Sequence, residues 1–219
     1  MVSAEAKNRD ALTGLPNYRA FQEAFAGGLT DAAEKEGGVS LGFIDVDWFK
    51  KLNDEHGADV GDEVLKALAK HLTDSLPTGG SVFRYGGEHF VALLPGVEKE
   101  QAFLALEGTR RQFDREQLFI VGNKKTKLSV TFSVGIASYP DDGSKGQEII
   151  RKATDAVYRA KATGRNKVCL AREGRMVTKT SHYTQGQLAR LSELAKREGV
   201  GEAILLREAL DDLLRKYAL

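Results

Sequence analysis

Two consecutive glycines, Gly86-Gly87, stand between two short apolar runs and constrain the fold more than any other feature of this chain. The runs are Ser81–Tyr85 and Phe90–Leu94, each long enough for one strand. Glycine adopts the positive φ angles that tight turns between antiparallel strands require. The pattern therefore predicts a β-hairpin with two polar residues, Glu88 and His89, at its turn.

The periodicity of the remaining chain predicts further elements over residues 10–170. We expect a buried strand at Val39–Asp45, an amphipathic helix at Val60–Leu76, one long strand at Lys127–Ser138 and a helix at Gln147–Thr163. Helices interleaved with hairpin strands predict an α+β fold, in which helices cover an antiparallel-rich sheet.

Size and composition exclude several classes of protein. A chain of 219 residues holds one large domain, or a middling one with a small appendage. The net charge of +1 gives no overall signal for polyanion binding. The single cysteine, Cys169, excludes an internal disulfide framework and fits a reducing compartment. Because signal-peptide and membrane-spanning patterns are absent from the sequence, we expect a cytoplasmic protein that does not enter the membrane.

An acidic pair, Asp45 and Asp47, ends the first predicted strand just before a helix. A carboxylate at a strand end can hold Mg²⁺, while free amides at the following helix start can hold phosphate oxygens. Asp45 and Glu88 would then converge from neighbouring strands as two hard ligands. Without further context a solvated cap is the commoner role of such carboxylates.

Five motifs along the chain favour the metal-binding role of these carboxylates over that of a solvated cap. The hairpin Arg84–Phe90 resembles the signature Gly-Gly-(Asp/Glu)-Glu-Phe of the GGDEF family, the diguanylate cyclases. Four more blocks resemble that family in order: Asp10–Asn17, Phe43–Asp62, Thr131–Ala137 and Asp155–Asn166. The resemblance covers residues 10 to about 170, and it implies a nucleotide-cyclase-like fold that acts on GTP.

The resemblance also implies roles for individual residues. Two such domains face each other in the family, each holding one GTP, and form cyclic di-GMP with Mg²⁺ or Mn²⁺. The implied metal ligands are Asp45, the carbonyl of Val46 and Glu88, and the implied catalytic positions are Asp45, Glu88 and His89. The implied nucleotide contacts are Phe49, Lys50, Asn53, Asp62, Gly86, Gly87, Lys161 and Arg165. Of these, Asn53 and Asp62 would read the guanine edge, and Lys161 and Arg165 would hold the terminal phosphates.

The sequence also departs from the family pattern at positions that bear on catalysis and on product binding. His89 stands where the family has Glu, and a neutral imidazole is a poor substitute for a carboxylate on Mg²⁺. An imidazole could instead deprotonate the attacking 3′-hydroxyl. The loss of one negative charge favours lost or impaired cyclase activity. Ala58 replaces the His of a Gly-His pair, and Thr78–Ser81 replaces an Arg-x-x-Asp motif, so tight binding of product there is not expected.

The pattern changes after residues 171–175, a short polar joint, and so we divide the chain into 1–170, 171–175 and 176–219. An extended segment, Met176–Tyr183, precedes two helical patterns, and Thr184 with Gln187 forms a capping box for the first helix. A strand-helix-helix of this size cannot bury its apolar surface alone, so we expect it to dimerise.

This segment resembles a ribbon-helix-helix DNA-binding domain, in which two chains pair their strands and enter the major groove. The resemblance implies that Thr178, Thr180 and His182 face the bases and that Gly201 lies at a phosphate-binding helix start. Basic residues are few, and an arm that dimerises without binding DNA stays open.

Taken together, the two halves predict a dimeric regulator that responds to guanine nucleotides. Only about nine residues precede the first motif, so we expect the C-terminal module to supply the two-fold axis. Two alternatives are an active diguanylate cyclase dimerised by its tail, and a scaffold that binds only protein partners.

Overall fold

The computed structural model describes residues 8–35, 37–121, 124–171 and 181–198, with 201–203, 205, 206, 209, 210 and 216. The chain divides into two compact units, Met1–Arg172 and Glu173–Leu219. All of the expected joint at 171–175 except Ala171 lies outside the described residues, so its boundaries stay a prediction.

The first unit alternates helices with strands. In chain order its elements are α1 (Tyr18–Glu34), β1 (Val39–Val46), α2 (Phe49–His56), α3 (Ala58–Ser75), β2 (Ser81–Gly86), β3 (His89–Pro95), α4 (Lys99–Phe113), β4 (Glu116–Val121), β5 (Lys124–Ser129), β6 (Phe132–Tyr139), α5 (Gly146–Ala162) and β7 (Val168–Leu170). Five strands form the main sheet in the order β2-β3-β1-β6-β7, and only the β6–β7 pair is parallel. The predicted α+β class with an antiparallel-rich sheet is confirmed.

The predicted long strand at Lys127–Ser138 is wrong. The chain leaves β5 at Ser129 and enters β6 at Phe132, and β5 pairs with β4 in a separate two-stranded sheet. At the break, the carbonyl of Thr131 accepts a hydrogen bond from the N–H of Asp47 at 2.9 Å. The apolar alternation runs through the break because Leu128 and Phe132 pack into one cluster, and so the sequence shows no interruption.

The main sheet lies between two layers of helices. Along β1, Val39, Leu41 and Phe43 face one apolar cluster, while Ile44 and Val46 face another. Helices α1 and α5 contribute to the first cluster, and α3 and α4 contribute to the second. Because side chains of a strand alternate between its faces, every odd-numbered residue of β1 points toward α1 and α5.

Helix α5 packs against the sheet at a position without a side chain. A Cβ placed on Gly135 of β6 would lie 2.0 Å from the carbonyl oxygen of Ala153 and 2.3 Å from the nitrogen of Val157. Such distances are far inside van der Waals contact, so only glycine permits this approach of helix and strand.

A buried ion pair joins α4 to the turn after β6. Nζ of Lys99 lies 2.9 Å from a carboxylate oxygen of Asp142, and the two side chains are 11% and 0% exposed. The same carboxylate accepts a hydrogen bond from the N–H of Ser138 at 2.8 Å. The second partner satisfies a charge that would otherwise be costly to bury.

The second unit contains α6 (Gln185–Glu198). The predicted capping box is confirmed, since the N–H of Thr184 donates to Oε1 of Gln187 at 2.9 Å and the N–H of Gln187 donates to Oγ1 of Thr184 at 3.3 Å. The apolar stripe of this helix consists of Leu188, Leu191, Leu194 and Ala195, and Leu188 is 44% exposed. Most of the expected strand Met176–Tyr183 lies outside the described residues.

None of the helices among the described residues combines the length and the apolar character needed to cross a lipid bilayer.

Candidate functional site

The site is built on a cross-strand pair. Asp45 and His89 lie directly opposite each other in the antiparallel ladder of β1 and β3. Both continue the row of side chains that faces α1 and α5, two positions along from Phe43 and Val91. Nε2 of His89 lies 3.1 Å from Oδ2 of Asp45, and the imidazole also packs against the ring of Phe43, 5.6 Å between centroids.

Lys161 brings a second basic group to the same carboxylate. It lies in the last turn of α5, and its Nζ is 2.6 Å from Oδ1 of Asp45. Asp45 therefore has one oxygen against an imidazole and the other against an ammonium group. Its side chain is only 12% exposed, which strengthens both interactions compared with an ion pair in water.

Glu88 completes a group of donors that can hold a metal ion. One carboxylate oxygen each from Asp45 and Glu88 and one ring nitrogen of His89 all lie within 4.8 Å of one another. The N–H of Val46 donates to the carbonyl of Glu88 at 3.4 Å, so the chain at Val46 runs beside Glu88. Two carboxylates in this arrangement fit a divalent cation, and His89 adds a nitrogen donor to the expected oxygen ligands.

The electrostatic surroundings of His89 favour its charged form. The hydrogen bond to Asp45 raises the pKa of His89 above its ordinary value, and the charges of Asp45 and Glu88 act in the same direction. Burial of the ring and the ammonium group of Lys161 oppose this rise in pKa. In the metal-free site the imidazole is thus more basic than one in water.

The hairpin turn is held open by its glycines and by a buried arginine. Gly86 and Gly87 have φ angles of 143° and 55°, a backbone that residues with a side chain rarely adopt. Arg84 donates from Nη2 to the carbonyl of Gly87, and its guanidinium lies 4.7 Å from the ring centroid of Phe90. Burial lowers the pKa of Arg84, while the carboxylates of Asp10, Glu88 and Asp62 raise it. Asp62 on α3 is therefore close enough to act on the hairpin electrostatically.

Arg165 stacks on an aromatic ring. Its guanidinium carbon lies 3.6 Å from the ring centroid of Trp48, which is 56% exposed. Both residues have a φ of 59°, in the left-handed region. Trp48 immediately precedes Phe49 and Lys50, the expected phosphate-binding residues at the start of α2. A cation–π contact of this kind fixes the direction of the guanidinium without neutralising its charge.

Asp47 holds this unusual backbone in place, whereas its sequence pattern indicated either a metal ligand or a solvated cap. Its buried carboxylate accepts hydrogen bonds from Oγ1 of Thr131 and Oγ of Ser133, both at 2.8 Å, and from the N–H of Asn166 at 2.9 Å. The hydroxyls come from the Thr-Phe-Ser run at the start of β6, a signal that the sequence contained. Asp47 ties β1, β6 and the loop after α5 together.

Asn166 extends these bonds to α4. Its Oδ1 accepts from Nη1 of Arg110, and its Nδ2 donates to Asp114 at 2.7 Å. Arg110 is also held by both oxygens of Glu107 at 2.8 Å. Neither Asn166 nor Arg110 was expected from the sequence to support the site, because the bonds that join Asn166 to α4 span more than 50 positions of the chain.

The two residues expected to read guanine lie on consecutive helices, Asn53 on α2 and Asp62 on α3. Oδ1 of Asn53 is buried and has no hydrogen-bond partner among the described residues, while Asp62 is exposed. No hydrogen bond joins them in the part of the chain that the structure describes, so their joint role stays a prediction.

Of the expected DNA contacts, Thr178 and Thr180 lie outside the described residues. His182 and Gly201 are described, and both are exposed. The N–H of Leu205 donates to the carbonyl of Gly201 at 3.4 Å, which marks the first turn of a helix there.

Comparison with known families gives two matches. The family "Diguanylate cyclase, GGDEF domain" matches residues 7–167, and the family "Ribbon-helix-helix domain" matches residues 178–218. Among curated proteins, the response regulator PleD of Caulobacter vibrioides is 36% identical over 171 residues, 76% of this chain and 36% of PleD. Diguanylate cyclase DgcM of Escherichia coli is 38% identical over 170 residues, 76% of this chain and 39% of DgcM. The chain thus spans less than two fifths of the length of these relatives.

Solved structures agree with the family match. The coiled coil and GGDEF domain of DgcB from Caulobacter crescentus, in complex with c-di-GMP, aligns with a TM-score of 0.70 at 26% identity, over 76% of this chain and 87% of that one. The active GGEEF domain of a diguanylate cyclase from Vibrio cholerae aligns with a TM-score of 0.66 at 32% identity, over 73% of this chain and 99% of that one.

Proposed function

This chain belongs to the diguanylate cyclase GGDEF family through residues 7–167, and on that premise we propose that it is a dimeric regulator responsive to guanine nucleotides. Residues 1–170 form the domain that binds GTP or a guanine dinucleotide. Residues 176–219 form a ribbon-helix-helix module that dimerises and binds DNA, joined through residues 171–175. The state of the nucleotide site controls the affinity of the module for DNA.

The observation that carries this proposal is the double pairing of Asp45. Nε2 of His89 lies 3.1 Å from Oδ2 of Asp45, and Nζ of Lys161 lies 2.6 Å from Oδ1. The negative charge of the carboxylate that is expected to bind a metal is therefore already balanced by these two basic groups. Mg²⁺ prefers oxygen ligands and has to compete with both groups. We therefore expect weak Mg²⁺ binding and a cyclase activity that is impaired or lost.

The nucleotide pocket itself keeps the groups that recognition of GTP needs. The amide of Asn53 is half-buried on α2, and its side chain can offer a donor or an acceptor to the guanine edge. The carboxylate of Asp62 can accept from guanine N1–H and N2, which adenine lacks. Lys50, Lys161 and Arg165 supply positive charge for the phosphates. Binding without efficient turnover is the behaviour expected of a sensor.

The proposal is tested by incubating the dimer with GTP and Mg²⁺, then with GTP and Mn²⁺, and resolving the nucleotides. The variant His89→Glu, which restores the family residue, is run beside the native protein. We expect the native protein to leave most GTP intact and the variant to form cyclic di-GMP. Rapid formation of cyclic di-GMP by the native protein with Mg²⁺ would contradict the impairment.

The regulatory half needs a separate test. The DNA site is first selected from a random pool, and its affinity is then measured with and without saturating GTP or cyclic di-GMP at fixed salt. We expect Thr178, Thr180 and His182 to be required for the chosen sequence. Unchanged DNA affinity at saturating nucleotide would overturn the proposed coupling between the nucleotide site and the DNA-binding module. If the protein binds no DNA at all, the module is a dimerisation arm.

A second candidate function is an active diguanylate cyclase in which His89 serves as the base. The hydrogen bond between His89 and Asp45 favours it, because a carboxylate that orients an imidazole is a recurrent arrangement in general-base catalysis. In this case His89→Glu changes the rate only modestly, whereas His89→Gln abolishes it.

A further inference from the structure

We propose that the Asp45–Glu88–His89 cluster is a metal site in which the imidazole acts as a ligand and shifts the selectivity from Mg²⁺ toward divalent transition-metal ions such as Zn²⁺ and Co²⁺. The inference goes beyond the proposed function, because it concerns which ion the site selects. It holds whether or not the protein cyclises GTP.

The positions of the donor atoms fit a shared ion. In a tetrahedral Zn²⁺ site with bonds of about 2.0–2.1 Å, neighbouring ligand atoms lie about 3.3 Å apart. The distance between Oδ2 of Asp45 and Nε2 of His89 is 3.1 Å, and all three donors lie within 4.8 Å of one another. The imidazole thus already stands on one edge of the coordination sphere, with the ring nitrogen turned toward the carboxylate.

The chemistry of the donors sets the selectivity. Carboxylate oxygens suit Mg²⁺, whereas imidazole nitrogen suits Zn²⁺, Co²⁺ and other first-row transition metals. A histidine at position 89 takes one negative charge away from beside the ion and offers a nitrogen donor that Mg²⁺ binds poorly. The histidine weakens the binding of Mg²⁺ and strengthens the binding of Zn²⁺ and Co²⁺. The ratio of the Zn²⁺ affinity to the Mg²⁺ affinity therefore changes more than either affinity does.

The site is accessible to an ion from solution. The side chain of His89 is 37% exposed and that of Lys161 is 21% exposed. An ion held by Oδ2 of Asp45 lies close to Nζ of Lys161, which contacts Oδ1 of the same carboxylate. The long lysine side chain can swing outward and so reduce the repulsion between the two cations. The strand positions of Asp45 and His89 need not change.

The test measures the dissociation constants of Mg²⁺, Co²⁺ and Zn²⁺ on the full-length protein without an affinity tag, by calorimetry and without nucleotide. Because most sites bind Zn²⁺ more tightly than Mg²⁺, the deciding quantity is the change in their affinity ratio on substitution. We expect His89→Glu to lower the ratio of Zn²⁺ affinity to Mg²⁺ affinity by about tenfold or more. The substitution should weaken the binding of Zn²⁺ and strengthen the binding of Mg²⁺. In the native protein, bound Co²⁺ should show the absorption bands of a nitrogen-ligated ion, and these should be lost in the variant.

Two further variants make the result decisive. His89→Gln should weaken Zn²⁺ binding without strengthening Mg²⁺ binding. His71→Gln serves as the control and should leave both affinities unchanged, because His71 on α3 hydrogen-bonds to the carbonyl of Thr109 and lies outside the cluster. An unchanged Zn²⁺-to-Mg²⁺ ratio in His89→Glu would overturn the proposal. So would a native protein that binds none of the three ions, or Co²⁺ bands that persist in both position-89 variants.

Discussion

The backbone N–H of Asn166 donates a hydrogen bond to the buried carboxylate of Asp47 at 2.9 Å, across 119 positions of the sequence. This bond joins the end of β1 to the loop that carries Arg165. The guanidinium of Arg165 then reaches back to stack on Trp48, the neighbour of Asp47. The backbone of both segments is left-handed here, and Asp47 with Asn166 holds them in that shape.

Replacing Asn166 should release the loop and misdirect Arg165. Asn tolerates the observed φ of 47°, whereas Ala does not, at a cost of about 1–2 kcal/mol. Loss of the bond to Arg110 adds about 1–3 kcal/mol from an unsatisfied buried group. We expect Asn166→Ala to lower both the free energy of unfolding and the preference for GTP over GMP. Asn166→Gly, which keeps the backbone shape, separates the two causes and should recover about 1 kcal/mol.

The pKa of His89 should lie above its ordinary value of 6.5 in the metal-free protein. The paired imidazolium then stabilises the fold fully below pH 6.5, and this contribution is lost as pH rises through the raised folded-state pKa. Imidazole chemical shifts recorded against pH measure the value directly. Asp45→Asn should lower the pKa, because it removes the largest cause of the rise. A native pKa at or below 6.5 would contradict the arrangement.

Lys161→Met should affect metal and nucleotide in opposite directions. Without the ammonium group, Oδ1 of Asp45 is free for an ion, and Mn²⁺ affinity should rise about fivefold, the equivalent of about 1 kcal/mol for one ion pair. Affinity for GTP should fall, since a phosphate-binding charge is lost. Calorimetry with each ligand tests both. Lys152→Met, about 13 Å earlier along α5, serves as the control and should change neither.

Asp142→Asn should destabilise the first unit strongly. The substitution leaves the ammonium of Lys99 buried without its charge partner, which costs about 3–5 kcal/mol. Urea unfolding followed by the fluorescence of Trp48, the single tryptophan, reports on this unit. For comparison, Glu23→Gln breaks an ion pair with Arg19 that is mostly exposed and should cost about 0–1 kcal/mol. Equal effects of the two substitutions would refute the assignment.

Leu188→Asp should weaken the dimer. Leu188 is 44% exposed in the single chain although it belongs to the apolar stripe of α6, so a second copy is expected to cover it. The dimer of the variant loses one buried leucine from each copy, about 3 kcal/mol together, which corresponds to about a hundredfold rise in the dimer dissociation constant. Sedimentation across a concentration series measures this. Arg190→Ala, outside the stripe, should leave the dimer intact.

Local patterns in the sequence were enough to predict several elements. The hairpin around Gly86-Gly87, helix α3 and the capping box of Thr184 each depend on residues only a few positions apart. The convergence of Asp45 with Glu88 was also expected, because both residues belong to motifs at the ends of neighbouring strands. Such features survive in the structure because tertiary contacts reinforce a preference that the chain already has. The pairing of Asp45 with His89 was not predicted.

Long-range polar contacts could not be predicted in the same way. Asp47 has its partners 84, 86 and 119 positions away, and one of them, Thr131, lies at the break between β5 and β6. Nothing in the local pattern distinguishes Asp47 from a solvated cap at a strand end. The same holds for Lys161, which the family resemblance assigned to phosphate and whose ammonium group contacts Asp45 in the structure.

The missing side chain at Gly135 has an electrical consequence. Because α5 rests directly on the backbone of β6, the spacing of helix and sheet sets how far Lys161 extends toward Asp45, about 12 Å further along the helix from Ala153. A methyl group at position 135 would clash with the backbone of α5 and push the helix away from the sheet. A substitution of Gly135, although it adds no charge, would then weaken the ion pair between Lys161 and Asp45, as a substitution of Lys161 itself would.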